Sequence, residues 1–171
     1  MAAGKHCEIE RKYLIRYPDV RKLLAQKDVQ QWEIVQIYLT VSGPGETRRI
    51  RQVGEDGVIK YYKTFKKRQT DLSTVEDEGE IDQLEYIHLS QEQQEGCKPL
   101  NKTRYRIPYK GHILEFDLYP FWEDRAILEI ELEHENEGAA IPEYVRIIRD
   151  VSADPAYKNR SLAENVVYEE I

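Results

Sequence analysis

The chain has 171 residues, enough for one domain with its own core, and we predict a single domain over residues 1–171. Acidic residues outnumber basic ones by 32 to 25, and the resulting formal charge of −7 disfavours a general nucleic-acid-binding protein. No apolar run approaches the roughly 20 residues of a membrane helix, and no secretory signal is recognisable. Cys7 and Cys97 are too few for a disulfide framework. We therefore expect a cytoplasmic protein with neither nucleic acid nor membrane as a partner.

Alternation of apolar and polar residues predicts eight strands, over residues 8–17, 32–41, 47–53, 58–66, 75–81, 102–109, 112–119 and 126–133. Residues 54–57 and 110–111 between neighbouring strands are typical of hairpin turns. Helical spacing of apolar residues predicts short helices over 18–25, 81–89, 142–151 and 156–166. This order of elements favours a mainly β (α+β) fold, with the strands in a closed antiparallel barrel or a strongly curved sheet.

Charged residues in most of these strands share one parity, so each strand has one charged face and one apolar face. Acids recur two residues apart on some strands and bases on others. The acids on the charged faces are Glu8, Glu10, Glu76, Glu78, Glu115, Asp117, Glu129 and Glu131, and the bases are Lys12, Arg49, Arg51, Lys63, Lys102 and Arg104.

Two interpretations fit this pattern. The charged face lies in water on a half-buried sheet, or the sheet closes and the same face lines a channel. Charges inside a small barrel must be paired, hydrated or bound to metal. Carboxylates without a cluster of His or Cys favour Mg²⁺ or Mn²⁺ over zinc, and Arg and Lys bind phosphate oxygens. Acids for a metal beside bases for phosphates describe a phosphoryl-transfer site.

The order of these motifs resembles the CYTH superfamily, also called triphosphate tunnel metalloenzymes. Residues 8–12 match its N-terminal ExExK signature. Further matches follow in the family's order and extend to residue 162: RxR at 49–51, then Lys63, ExE at 76–78, KxR at 102–104, ExD at 115–117, ExE at 129–131, and Tyr157, Asn159 and Leu162 in the C-terminal segment. Thr74, where the family often has Arg, and Lys158, where it usually has a small residue, depart from the pattern.

The resemblance implies an eight-stranded antiparallel β-barrel tunnel with a few helices packed outside, and a divalent cation, Mg²⁺ or Mn²⁺. It implies that metal is held by Glu8, Glu10, Asp117, Glu129 and Glu131. It implies that substrate is bound by Lys12, Arg49, Arg51, Lys63, Lys102 and Arg104. Catalytic roles are assigned to Lys12, Glu78 and Glu115. Dimers occur in the family, so a homodimer is compatible with the resemblance.

The expected reaction is hydrolysis of a small-molecule triphosphate, either inorganic tripolyphosphate or a nucleoside or thiamine triphosphate. Two alternatives stay open. One is adenylate cyclase chemistry on the same scaffold, in which the ribose 3′-hydroxyl replaces water. The other is a non-catalytic module that binds polyphosphate or a nucleotide.

Overall fold

A computed structural model describes residues 4–171, which form mostly β-strands. The strands are β1 (Gly4–Arg16), β2 (Gln30–Leu39), β3 (Glu46–Glu55), β4 (Val58–Arg68), β5 (Ser73–Ile81), β6 (Leu100–Tyr109), β7 (His112–Leu118), β8 (Arg125–Leu132) and β9 (Ile147–Asp150). The helices are α1 (Val20–Leu24), α2 (Gln83–Ser90) and α3 (Asn159–Glu164), and a 3-10 turn covers Pro155–Tyr157. None of the helices in this part of the chain is long and apolar enough to span a bilayer.

The first eight strands close into an antiparallel barrel, as the sequence predicts. The order is β5-β4-β3-β2-β6-β7-β8-β1, and β1 pairs again with β5. Closure is possible because β1 is 13 residues long: it pairs with β5 from Gly4 to Ile9 and with β8 from Ile9 to Arg16. β9 adds to β1 at Tyr13–Ile15. Full closure leaves the eight barrel strands without a free edge.

The predicted helix over 142–151 is wrong, because residues 147–150 form β9. Spacing alone does not separate a short helix from a strand with flanking turns when the apolar run is this short. Here the apolar residues serve different sites: Val145 packs on the outer core, whereas Val151 is buried against Leu14 at one end of the barrel. The predicted helix over 156–166 is confirmed only in part, as the 3-10 turn and α3.

The main core lies on the outer face of β6, β7 and β8. Leu23 of α1 and the segment at 139–145 cover the apolar side chains of these strands there, Phe116 and Leu128 among them. Both side chains are fully buried, which stabilises the fold by about 1.5–3 kcal/mol each. The apolar face of the barrel strands is therefore directed outward, under the connections, and the charged face is directed inward.

A second apolar cluster closes one end of the barrel interior. Leu14 and Ile127 continue the inward-facing parity of β1 and β8, and they pack against Val151, Tyr157 and Leu162. We call residues 151–164, which supply these last three side chains, the C-terminal segment. Its position at this end confines the charged residues to the middle of the barrel and to the cavity beside the segment.

Candidate active site

Strand register places the predicted charged motifs next to one another on the inner wall. Lys12 lies opposite Glu129 across β1 and β8, and Glu129 lies opposite Glu115 across β8 and β7. Arg104 lies opposite Asp117 in the β6–β7 hairpin. Several of these side chains are almost fully withdrawn from solvent, with exposures of 8% for Lys12 and Arg51, 7% for Arg104, 5% for Glu129 and 3% for Lys102. The closed barrel thus selects the interpretation in which the charged face lines a channel.

Asp117 holds the bases of the inner wall. It is fully buried, and it accepts hydrogen bonds from Lys102 Nζ at 2.7 Å and from Arg104 Nε at 2.6 Å. Arg104 also contacts Glu115 at 3.1 Å and Glu129 at 3.2 Å. Although burial opposes it, Arg104 and Lys102 hold the pKa of Asp117 below its usual value. The structure therefore places Asp117 as a partner of the bases, where the sequence predicts a metal ligand.

Glu78 is the acidic partner on the other side of the barrel. Arg51 Nη2 lies 3.0 Å from its carboxylate, and Thr64 Oγ1 donates to the same carboxylate at 2.7 Å. Burial raises the pKa of Glu78, but Arg51 and the hydrogen bond from Thr64 outweigh this effect and lower it. Glu78 is thus ionised and fixed in orientation.

A carboxylate pair without a base lies between these two groups. Glu10 and Glu131 are opposed across the β1–β8 ladder. The nearest lysines bind other acids: Lys12 lies 3.2 Å from Glu129, and Lys66 lies 2.8 Å from Glu8. Burial, Glu129 and Glu8 raise the pKa of Glu10 to about 7. Partial burial, Glu8 and Glu115 raise the pKa of Glu131, although its side chain is exposed. Both carboxylates are therefore destabilised as anions.

The Glu10–Glu131 pair fits a divalent cation. The neighbouring acids repel both carboxylates, and a bound cation would relieve that repulsion. Within residues 4–171, no group of three or more His, Cys, Asp or Glu side chains is arranged to hold a metal ion. Mg²⁺ commonly takes only one or two carboxylates and completes its shell with phosphate oxygens and water. A two-carboxylate site beside a phosphate-binding wall matches that preference better than a closed protein cage.

Lys63 is the one predicted substrate ligand that the structure places outside the barrel. Its ammonium group lies 2.9 Å from Glu85 of α2, on the outer face of β4, and its side chain is 58% exposed. The inward position belongs to Lys66, which contacts Glu8 at 2.8 Å and Glu76 at 3.0 Å. The parity predicted for β4 is therefore wrong, and the prediction lacks the inward residues Lys66 and Thr64.

The hairpin turn contains the signal that would have found Lys66. Asp56 and Gly57 both have positive φ, of 49° and 79°, as in the two-residue turns that match the twist of paired strands. A two-residue turn pairs Glu55 with Val58 and hence Arg49 with Thr64. Because Arg49 faces inward, Thr64 and Lys66 must face inward too.

A cavity of about 440 Å³ gives access to the inner wall beside the C-terminal segment. Glu10, Lys12, Arg49 and Lys66 line it on the barrel side, and Lys158 lines it on the other. Arg49 makes no salt bridge with any residue in the described range 4–171, and its buried Nε has no hydrogen-bond partner there. An inward cation without a protein partner is suited to bind an anion that enters the cavity.

Comparison with known proteins agrees with this geometry. The structure resembles the crystal structure of the inorganic triphosphatase NE1496 with a TM-score of 0.56 and 28% identity, over 92% of this chain and 95% of that one. A second structure of NE1496, described as a hypothetical protein, gives 0.58 and 27% over 94% and 99%. The PH1819 protein of Pyrococcus horikoshii OT3 shares the fold at a TM-score of 0.59 and 22% identity, over 75% and 80%.

No curated protein sequence gives a significant match. The model of the CYTH domain, by contrast, matches residues 6–165, a range that includes every charged motif described above. The triphosphate tunnel metalloenzymes of this family use divalent metals. The closed barrel, its charged inner wall and this match over most of the chain lead to one assignment: the protein belongs to the CYTH domain family.

Proposed function

We propose that this protein hydrolyses inorganic tripolyphosphate with the help of a divalent cation. The observation that carries the proposal is the cavity in which the unpaired Arg49 lies with Lys12 and Lys66, next to the opposed carboxylates Glu10 and Glu131. Such a site provides cations for a chain of phosphates and oxygen ligands for a metal. The likeness to the inorganic triphosphatase NE1496 at 28% identity supports the same reaction.

The basic residues bind and orient the phosphate chain. Burial opposes the charge of Lys12, but Glu129 and Glu10 hold its pKa above the usual value, so Lys12 stays protonated. Arg49 and Lys66 reach the cavity from β3 and β4. Arg51, Lys102 and Arg104 extend the basic wall inward, and each is held by a carboxylate. Prior fixation of these groups lowers the entropy lost when substrate is aligned.

Glu10 and Glu131 would hold the metal, with Glu8 and Glu129 beside them. Bound there, the metal would supply positive charge to the phosphate oxygens as the P–O–P bond breaks. Water adds to one terminal phosphorus, and pyrophosphate leaves. Arginine holds both Glu78 and Glu115 in place, so we propose that these carboxylates orient the attacking water by accepting its hydrogen bonds.

A product assay tests the proposal. Protein is incubated with tripolyphosphate, ATP or thiamine triphosphate, with Mg²⁺, Mn²⁺ or EDTA, and phosphate, pyrophosphate and cyclic AMP are measured. We expect equal amounts of phosphate and pyrophosphate from tripolyphosphate, and none with EDTA. Cyclic AMP with pyrophosphate from ATP would establish a cyclase instead. Binding without any product would establish a non-catalytic module.

Thermal melting provides a test that does not depend on turnover. A bound metal would reduce the repulsion among the carboxylates, and a bound triphosphate would neutralise the basic residues. The two ligands should therefore stabilise the protein synergistically. At about 100 times the dissociation constant, binding adds roughly 2.7 kcal/mol, which corresponds to a rise of about 5–11 °C in Tm for a chain of this size. A shift with Mg²⁺ plus a non-hydrolysable triphosphate that is no larger than the sum of the separate shifts would contradict the shared site.

A further inference from the structure

The lining of the cavity is basic, in contrast to the acidic chain as a whole. Six cationic and three acidic side chains line it, whereas the formal charge of the chain is −7. Lys12 and Lys66 bind acids of the barrel wall, Arg68 binds Asp71, and Arg160 binds Glu164. The two remaining cations, Arg49 and Lys158, form no salt bridge with any other residue in the range 4–171. Of these two, Lys158 lies on the C-terminal segment and is not part of the predicted site.

The backbone that carries Lys158 is fixed on both sides. Tyr157 is 1% exposed and packs in the apolar cluster at the end of the barrel. Asn159 accepts a hydrogen bond from the Tyr119 hydroxyl at 2.5 Å, which ties the segment to the residue after β7. The backbone carbonyl of Lys158 accepts from the amide of Leu162 at 2.9 Å. The ammonium group of Lys158 is therefore presented to the cavity by a rigid support.

The neighbours of Lys158 are themselves cationic. Burial, Arg68 and Lys12 lower the pKa of Lys158, and only the weaker effects of Glu10 and Asp71 oppose them. Cations placed together in a partly buried cavity repel one another, and an anion bound among them removes that repulsion. The cavity thus provides a further anion site outside the predicted substrate ligands.

The lining of the cavity does not suit a nucleobase. Tyr38 is the one aromatic residue among the described residues that line it, and this residue is only 2% exposed. Recognition of a base usually uses an exposed aromatic face, which contributes about 1–3 kcal/mol per base. A nucleoside on a substrate bound in this cavity would therefore meet Lys158 and no exposed aromatic ring.

We propose that Lys158 is a specificity residue that binds the free terminal oxygen of the outermost phosphate of an inorganic polyphosphate, the oxygen that carries the ribose in a nucleotide. This inference rests on the proposed function, since it names the class of triphosphate that the same site prefers. Lys158 binds substrate by charge and hydrogen bonding and takes no part in bond cleavage. It therefore contributes to substrate affinity, and chiefly to affinity for a chain that ends in phosphate at the cavity.

The test compares tripolyphosphate with ATP at saturating Mg²⁺. In Lys158→Ala we expect the KM for tripolyphosphate to rise roughly tenfold, with kcat within about twofold and the KM for ATP changed by less than about twofold. Lys158→Arg should restore most of the affinity, because it restores the charge. Lys98→Ala, which removes an exposed lysine elsewhere, is the matched control. Equal changes in KM for both substrates, or none, would overturn the proposal.

Direct binding separates this proposal from the proposed hydrolysis. Calorimetry measures the Kd of non-hydrolysable analogues of tripolyphosphate and of ATP, each with Mg²⁺, for the wild type and Lys158→Ala, after melting curves have shown that the variant is folded. If the wild type hydrolyses neither compound but Lys158→Ala weakens tripolyphosphate binding selectively, hydrolysis is wrong and the role of Lys158 stands. If hydrolysis is observed and the variant binds both ligands like the wild type, the role of Lys158 is wrong.

Discussion

Glu10 and Glu131 face each other across the β1–β8 ladder, and no salt bridge neutralises either one within residues 4–171. The lysines nearby are bound elsewhere, Lys12 to Glu129 and Lys66 to Glu8 and Glu76. A barrel that pairs most of its interior charges thus leaves these two carboxylates without a salt bridge, and Glu10 lines the cavity. Burial and the acids around them, Glu129 and Glu8 for Glu10 and Glu8 and Glu115 for Glu131, raise the pKa of both carboxylates. This destabilisation of the two anions is the physical basis of the first two predictions.

Replacing either carboxylate by its amide should weaken metal use. In Glu10→Gln and Glu131→Gln we expect kcat/KM at subsaturating Mg²⁺ to fall by about 100-fold, with partial recovery at high Mg²⁺. The measurement is the Mg²⁺ dependence of tripolyphosphate hydrolysis. Glu95→Gln, an exposed acid in a loop, is the control. A Mg²⁺ dependence like that of the wild type in either variant would remove that residue from the metal site.

Glu10→Gln should stabilise the metal-free protein at alkaline pH. The pKa of Glu10 is about 7 in the folded state and 4.5 at its ordinary value. The folded state therefore binds more protons between these values, and stability falls as the pH rises through this window. In EDTA, Glu10→Gln should melt close to the wild type at pH 5. At pH 8 we expect Glu10→Gln to be about 2 kcal/mol more stable than the wild type, which corresponds to a Tm about 4–8 °C higher. This free energy is smaller than the full pKa shift would give, because the side chain of Glu10 is partly solvated. A difference that does not grow with pH would contradict the assigned repulsion.

Lys66 and Lys63 provide a matched pair on β4. Lys66 faces the cavity, whereas Lys63 is bound to Glu85 on the outer surface. We expect Lys66→Ala to lower kcat/KM for tripolyphosphate at least tenfold. Lys63→Ala should change it by less than twofold and stability by at most about 1 kcal/mol, because exposed ion pairs contribute little. Steady-state kinetics on both variants show which face of β4 is directed inward in solution. A larger loss of kcat/KM in Lys63→Ala than in Lys66→Ala would show that Lys66 does not face the cavity.

Asp117→Asn should chiefly lower stability. The substitution leaves Lys102 and Arg104 without their fully buried anionic partner, and breaking a buried pair in this way costs about 3–5 kcal/mol. For a chain of this size we expect Tm to fall by roughly 6–20 °C. Asp124→Asn, which breaks an ion pair at a carboxylate that is 53% exposed, should shift Tm by no more than about 2–4 °C. If Asp117→Asn melts at the same temperature as the wild type, the assignment of Asp117 as the partner of these bases is wrong, and its predicted role as a metal ligand is favoured.

The charged and apolar faces of most strands were predictable from the sequence. In a strand the side-chain direction alternates with every residue, so the shared face of Glu8, Glu10 and Lys12, or of Arg49 and Arg51, is a local property. The apolar parity of β6–β8 likewise predicted the outer core. The order of the motifs indicated the family, and the match over residues 6–165 confirms it.

Tertiary structure decided what depends on register and closure, which are relationships between distant parts of the chain. The register of the β3–β4 hairpin places Lys66, and not Lys63, on the inward face of β4. The opposition of Glu10 to Glu131, and the burial of Asp117 against Lys102 and Arg104, depend on which strands become neighbours. Lys158 reaches the cavity because Tyr157 and Leu162 pack into the end of the barrel. Alternation determines which residues share a face, but only closure of the barrel brings those faces together as one wall and sets each charge against its partner.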